Sequence, residues 1–379
     1  MSNIPFNKPH MTGNELMYIS EAHSQNILAG DGPFTKKCHK WLEQELGTKK
    51  ALLTHSCTAA LEIAAILINL KPGDEIILPS YTFVSTANAF VLRGGIPVFV
   101  DIRKDTLNID ENKIEAAITS KTKAIVPVHY AGVGCEMDTI MNIAKEYGLY
   151  VIEDAAQGIY SKYKEKTLGT IGDIGCYSFH ETKNIISGEG GALLINNEIF
   201  HERAEIIREK GTNRTQFFNG KIDKYSWQDV GSSYLPGEVI AAFLWAQLEK
   251  AFDITNKRLQ LWEKYHSELK LLENEDTFKC PSIPDACIHN AHMYYILLNS
   301  NLERSKLIKK MNSENIYPVS HYIPLHSSVA GKKFGKAFGG MINTDYTSNC
   351  ILRLPLWIGM KDHDQDRIIN IIKDFFNNV

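Results

Sequence analysis

Nothing in this sequence supplies a surplus of one charge. The 41 basic and 44 acidic residues leave a formal charge of −3, with no long run of a single sign. That balance excludes a protein built to grip a nucleic-acid backbone. No apolar run reaches the ~18 residues that would indicate a membrane span. The first residues, MSNIPFNKPHMTGNE, lack a basic segment followed by an apolar one. The expectation is therefore no secretory leader and a cytoplasmic location. The seven cysteines form no CxxC pair and have no histidines at zinc-ligand spacing. They predict reduced thiols in a cytosolic enzyme, with neither a disulfide framework nor a metal site. Internal repeats and low-complexity tracts are also absent. Hydrophobic residues at 44% and charged residues at 22% are ordinary for a globular chain, so long disordered stretches are not expected.

At 379 residues the chain is too long for one simple core, which predicts two domains. From about residue 50 the pattern alternates. Strand-like runs are ALLT (51–54), EIILP (75–79), PVFVD (97–101), KAIVPVH (123–129), LYVIED (149–154), IGCYSF (174–179) and GALLIN (191–196). Helix-like stretches lie between them at 58–70, 85–92, 112–117 and 137–147. This alternation predicts an α/β domain with a mostly parallel sheet. From Glu238 to about Leu272 apolar residues recur at three- and four-residue spacing, which predicts one long helical stretch. The domain change is expected within it, giving a large unit over 1–250 and a small C-terminal α+β unit over 251–379. In the latter a strand at 293–298 alternates with helices at 302–312 and near the C-terminus.

Three segments carry chemistry. His55-Ser56-Cys57-Thr58 ends a strand and starts a helix. Free N–H groups and the helix dipole there suit a phosphate, although Ser or Thr at that place is equally a plain N-cap. Val151-Ile152-Glu153-Asp154 is an apolar strand ending in a carboxylate, and open α/β sheets bind ligands beyond the carboxyl ends of their strands. Asp154 can pair with a cationic ring nitrogen or serve as a turn residue. Lys183 follows a buried strand through Ser178 and precedes Gly188-Glu189-Gly190-Gly191. Desolvation there would free its amine to attack carbonyls; an exposed loop lysine is the alternative. Together these segments stand in the order that a pyridoxal-phosphate site requires, with Lys183 29 residues after Asp154. The carboxylate would keep the ring nitrogen protonated, and the lysine would bond the cofactor and move the proton.

Longer strings are more specific. PSYTFVSTANAFVLRGG, VPVHYAG, CEMDTIM, EDAAQG, SFHETKN, EIIREKGTNR and HYIPLH resemble, from end to end, the DegT/StrS family of sugar-nucleotide aminotransferases. The resemblance implies a type I (aspartate-aminotransferase-like) pyridoxal-phosphate fold. It implies Lys183 as the lysine that bonds the cofactor, Asp154 at the pyridine nitrogen and Gln157 at the ring oxygen. Cys57, Thr58 and Ser178 would hold the phosphate, and Phe83 would lie over the ring face. His321 and Tyr322, within HYIPLH, would contact substrate. The implied reaction takes an amine from L-glutamate and places it on C4 of a dTDP-linked 4-keto-6-deoxy sugar, for a bacterial surface polysaccharide. The implied assembly is a homodimer with shared active sites. A family segment, G-x-N-x-R-M, reaches the partner's phosphate; here it reads Gly231-Ser232-Ser233-Tyr234-Leu235-Pro236, so Ser233 stands where the Asn would be.

Other readings remain. A 3-keto or UDP-linked sugar would use the same site. A dehydratase of this fold carries His in place of Lys183, and a non-catalytic sugar-nucleotide binder or regulator would have lost Lys183 or Asp154; neither description matches these residues. His129, Tyr130 and His326 are expected as packed or capping residues, and Trp227, Trp245 and Trp262 as core or interface packing.

Overall fold

The computed structural model describes residues 3–377. Its centre is an eight-stranded sheet in the order Lys50–Thr54, Gly191–Ile195, Ile174–Ser178, Tyr150–Asp154, Thr122–Ile125, Glu75–Pro79, Ile96–Val100, Lys336–Ala337. Gly191–Ile195 runs antiparallel to both neighbours, and every other pairing is parallel. Side chains alternate across this sheet, and both faces are covered, as the continuous apolar runs require. Leu52, Cys176, Leu193 and Ile195 pack under the helix Cys57–Leu67. Ala51, Leu53, Tyr177 and Leu194 pack on the opposite face against Pro33–Leu46 and Glu238–Leu248. The result is the fold class expected, a large α/β body with a mostly parallel sheet.

A second, antiparallel sheet joins Phe278–Lys279, Tyr294–Leu298 and Ile351–Leu354. Its core gathers Trp262, Tyr265, Phe278, Tyr294, Ile296, Leu352 and Ile368, and the N-terminal Ile4 inserts into the same cluster. Among the described residues no helix is long and apolar enough to cross a membrane.

Three local expectations are corrected. The stretch from Glu238 is two helices, Glu238–Leu248 and Ala251–Leu269, because Lys250 leaves the helical region at φ −113°, ψ 10°. The break lets the second helix start on the large sheet with Ala251 and Ile254 and finish in the other core with Trp262, Tyr265 and Leu269. Residues 112–117 form two 3-10 turns, Glu111–Lys113 and Glu115–Ala117, because the extended Ile118 leaves too few residues to propagate an α-helix. The strand expected over 123–129 stops at Ile125, ahead of Pro127, which has no N–H to donate; Val128 rejoins the sheet through a single bridge to Asp154.

A buried carboxylate ties the helix Pro33–Leu46 to this body. Glu238 is fully buried, and its carboxylate accepts the N–H groups of Gly32 (3.1 Å), Phe34 (2.7 Å) and Thr35 (3.0 Å), together with the Thr35 hydroxyl. It caps the orphan donors of Pro33–Leu46 from another helix. A Cβ on Gly32 would lie 2.5 Å from Glu238 Cδ, so only glycine allows the approach. Glu238→Ala should therefore lower the free energy of urea unfolding by about 3 kcal/mol, because four donors lose their partner. A loss below about 0.5 kcal/mol, the scale of a neutral surface change, would show that water replaces the cap.

Candidate active site

The parallel strands Tyr150–Asp154 and Ile174–Ser178 end at a cavity of about 650 Å³. At one end the helix Cys57–Leu67 points its N-terminus inward. Ser56 Oγ accepts the Ala59 N–H at 3.1 Å, so the capping reading of this turn is correct for Ser56. Capping leaves the first-turn N–H groups of Cys57 and Thr58 without a partner inside the helix. Thr58 Oγ1 donates to Ser85 Oγ at 2.8 Å, and Ser178 lines the same end. Gly191 makes room for the turn, since a Cβ there would meet the Ser56 carbonyl carbon at 2.4 Å and the Cys57 nitrogen at 2.5 Å. Burial pushes the Cys57 thiol well above its usual pKa, and the Asp154 carboxylate adds to this against the opposing pull of Lys183.

Asp154 is 5% exposed. Its Oδ2 accepts from Thr86 Oγ1 at 2.7 Å, and its Oδ1 from the Ala156 N–H at 3.2 Å. Thr82 Oγ1, 2.8 Å from Thr86 Oγ1, supports that hydroxyl from behind. Among the described residues no Lys, Arg or His lies within ion-pair distance of Asp154. The next-door Glu153 is fully buried and saturated by the N–H groups of Gly169 (2.8 Å), Ile171 (2.7 Å) and Gly172 (2.6 Å) and by His129 Nε2 (2.9 Å). His129 Nδ1 accepts the Cys135 N–H at 3.2 Å, which leaves the imidazole proton on Nε2, facing Glu153.

Lys183 sits in the connection between the paired strands Ile174–Ser178 and Gly191–Ile195. That connection is closed on itself: the N–H groups of Phe179 and Glu181 reach Gly190 O (2.8 Å) and Gly188 O (2.9 Å), and Ser187 N–H reaches Phe179 O (2.7 Å). The lysine side chain is half-buried and lines the cavity. Burial lowers its pKa; Cys57 and Asp154 oppose that, Arg353 adds to it, and the net shift is downward.

An aromatic wall closes the third side. Phe83, at the start of the helix Val84–Val91, remains 56% exposed, with its ring 6.3 Å from that of Tyr322. Tyr322 Oη accepts from Gln157 Nε2 at 3.2 Å, and Gln157 Oε1 accepts the Ala131 N–H at 2.7 Å. His321 stacks on Tyr322 at 3.4 Å and faces Tyr130 Oη through Nδ1 at 3.0 Å. Burial, with Arg353 and Lys183 nearby, pushes the His321 pKa well down, so this ring is neutral.

Cys57, Thr58, Phe83, Asp154, Gln157, Ser178, Lys183, His321 and Tyr322 thus all line one cavity. Ser233 does not; it is exposed, bridged to Glu209, outside the cavity of its own chain. His129 is a packed residue, as expected, while Tyr130 is buried beneath the wall. Trp262 is core at 3% exposure, whereas Trp227 is 80% exposed and contributes nothing to the core of this chain. Thr86, Ser85, Arg258, His292 and Arg353 escaped the reading of the sequence, although each but Thr86 lines the cavity and Thr86 bonds Asp154. The signal for Arg353 was a single cation in the apolar run ILRLPL.

The donor set fits pyridoxal phosphate. Hydroxyls and a helix N-terminus can take the phosphate, an amine of lowered basicity suits the aldehyde, and a buried carboxylate without a basic side-chain partner suits a protonated ring nitrogen.

Comparisons with known proteins agree with that fit. Residues 9–373 match the model of the DegT/DnrJ/EryC1/StrS aminotransferase family. The protein MJ1066 of Methanocaldococcus jannaschii is 38% identical over 350 residues, which cover 90% of each chain. The spore coat polysaccharide biosynthesis protein SpsC of Bacillus subtilis strain 168 is 33% identical, covering 98% of this chain and 96% of its own. Among solved structures, Spr1654 of Streptococcus pneumoniae, a proposed sugar aminotransferase, superposes in its PLP form with a TM-score of 0.90 at 25% identity. That match covers 100% of this chain and 99% of the other.

Two outcomes test the geometry. Lys183→Ala should abolish turnover, and in cofactor-free wild-type protein Lys183 should react with trinitrobenzenesulfonate at a lower pH than the surface lysines, because a lowered pKa exposes the free amine earlier. Turnover above background in the variant would remove Lys183 from its role. Asp154→Asn should keep bound cofactor yet lose roughly 100-fold or more in rate, the scale of removing one preorganised electrostatic partner. Near-normal steady-state rates would assign the ring nitrogen to another group.

Proposed function

The chain belongs to the DegT/DnrJ/EryC1/StrS aminotransferase family, and from that premise we propose that it moves the amino group of L-glutamate to C4 of dTDP-4-keto-6-deoxy-D-glucose. The product is dTDP-4-amino-4,6-dideoxy-D-galactose, made in the cytoplasm for a bacterial surface polysaccharide. The observation that carries the amino-transfer reading is the convergence of Lys183, Asp154 and the Cys57–Thr58 turn on one cavity. The particular sugar rests on the matching strings, above all PSYTFVSTANAFVLRGG and HYIPLH. The name of SpsC, a polysaccharide biosynthesis protein, supports the same direction.

Pyridoxal phosphate is the cofactor, and when bound it supplies a ring that draws electrons from the carbon losing its proton. The chain's residues do the rest. Thr58, Ser178 and the first-turn N–H groups would anchor the phosphate end. Asp154 would hold the ring-nitrogen proton, and its carboxylate is oriented by Thr86 and Ala156. Lys183 Nζ would take and return the proton at the substrate carbon, and burial, which lowers its basicity, favours the free amine that this role needs. Tyr322 and His321 cover the site as a neutral aromatic lid over Gln157. Transfer to a 3-keto sugar, or to a UDP-linked one, would need no change in this set and is the alternative reading.

The decisive assay incubates the holoenzyme with dTDP-4-keto-6-deoxyglucose and L-glutamate and identifies the product by NMR. A 4-amino-4,6-dideoxygalactose product supports the reading; a 3-amino product, or turnover only with a UDP sugar, replaces it by the alternative.

The reading also includes a homodimer in which Ser233 serves the partner's cofactor, since it lies on the surface away from its own cavity. Mixing inactive Lys183→Ala subunits with inactive Ser233→Trp subunits should then restore activity, because one site in each mixed dimer has both residues intact. A mixture as inactive as its parents, or a fully active monomer in sedimentation, would end the shared-site proposal.

A further inference from the structure

Two guanidinium groups, Arg258 and Arg353, line the same cavity, and among the described residues neither has a carboxylate within ion-pair distance. Arg258 is buried, and its Nε and Nη2 donate only to the carbonyls of Ala291 (3.1 Å) and His292 (2.7 Å). Burial alone pulls its pKa down to about 10. Arg353 is more open. It stands on the strand Ile351–Leu354, whose other three residues are buried. Its backbone is fixed by two bonds to Val319, at 2.8 and 3.1 Å. Its Nη2 makes one long bond, 3.4 Å to Ser320 O, and its buried Nε bonds nothing. The Phe6 ring covers one face, 4.6 Å from Cζ. Burial lowers its pKa, against the pull of Tyr130, Tyr322 and Tyr81.

Removing a charge from water without a counter-charge is costly, and native chains tolerate it where something else supplies the opposite charge. The carboxylates lining the cavity do not. Asp154 is engaged by Thr86 and Ala156, and Glu189 is exposed beside His180. A planar fork with a free edge, held rigid by its strand and by Phe6, is suited to bidentate oxyanions. We propose that Arg353 receives a substrate oxyanion in this cavity, either a carboxylate of the amino-acid donor or the diphosphate of the sugar nucleotide. The proposal rests on the amino-transfer reading above and names the residue that site uses to hold its charged substrates. Arg258 acts behind it as a positioning residue, holding the carbonyls of Ala291 and His292 and adding positive potential.

The test is calorimetric and needs no turnover, so it stands even if the particular sugar is wrong. Glutarate, a dicarboxylate without an amine, and dTDP are titrated separately into the holoenzyme, into Arg353→Gln and into Arg353→Lys, with circular dichroism confirming the fold of each. Losing a charge-assisted pair weakens binding by roughly 10- to 100-fold. Arg353→Gln should show that loss for one ligand, with the other within about threefold of wild type, and Arg353→Lys should recover part of it. Loss of glutarate assigns Arg353 to the donor carboxylate, and loss of dTDP assigns it to the diphosphate. Loss of both, recovered in part by lysine, gives it both oxyanions in turn. Unchanged affinities in Arg353→Gln, no binding of either ligand to wild type, or equal losses that lysine does not repair would overturn the proposal.

Discussion

Glu153 lies at zero exposure in the middle of the sheet, and an ionised carboxylate cannot remain there alone. Three backbone N–H groups from the Gly169–Gly172 turn and the Nε2 proton of His129 converge on it. His129 is itself tied through its backbone N–H to Asp154 O and through Nδ1 to Cys135. This knot has one geometric effect that the site depends on. It fixes the end of Tyr150–Asp154 so that the next side chain along, on the opposite face, is Asp154, aimed into the cavity. A strand alternates its side chains, so a carboxylate locked on one face determines where its neighbour points. The two acids therefore do different work: one is consumed by structure, and the other is left with only a hydroxyl and an amide.

Partial positive charge from a helix N-terminus, the Asp154 carboxylate, the Lys183 amine and the guanidinium groups of Arg258 and Arg353 all face the same cavity. Beside them stand Tyr322 and His321, stacked on each other, with Tyr81 and Tyr130 packed behind at tilted to edge-on angles and centroid separations of 5.2 to 6.2 Å. These rings lower the local dielectric without adding charge, which strengthens each polar contact beside them. Burial is the chief cause of the lowered basicity of Lys183.

Much of this was legible in the sequence, and the reasons differ by residue. Strands such as Glu75–Pro79 announced themselves because both faces are buried and the apolar run is unbroken. Asp154 and Lys183 stood out because each follows such a run, and the known family strings then supplied roles for Gln157, Phe83 and Tyr322. Thr86 could not be read this way: a threonine inside a helix looks like any other, and its bond to Asp154 spans 68 residues. Arg258 and His292 meet only because the chain folds back from one core to the other, which no local pattern encodes. The helix break at Lys250 was hidden for a related reason. The apolar spacing on both sides is helical, and only the need to serve two cores interrupts it.

The lone antiparallel strand of the large sheet has a further consequence, for the order of assembly. Lys50–Thr54, which delivers the Ser56 turn, pairs in the sheet only with Gly191–Ile195. Closing so long a loop is slow, and its contacts reward the chain only at the end. As the polypeptide emerges from the ribosome, the strand that leads into the Ser56 turn stays unpaired until residue 195 has cleared the exit tunnel, and the Arg353 side stays open until the second sheet is complete. The cavity lining is therefore assembled in two stages, the part with Cys57, Asp154 and Lys183 once residue 195 is made and the part with Arg353 only with the second sheet.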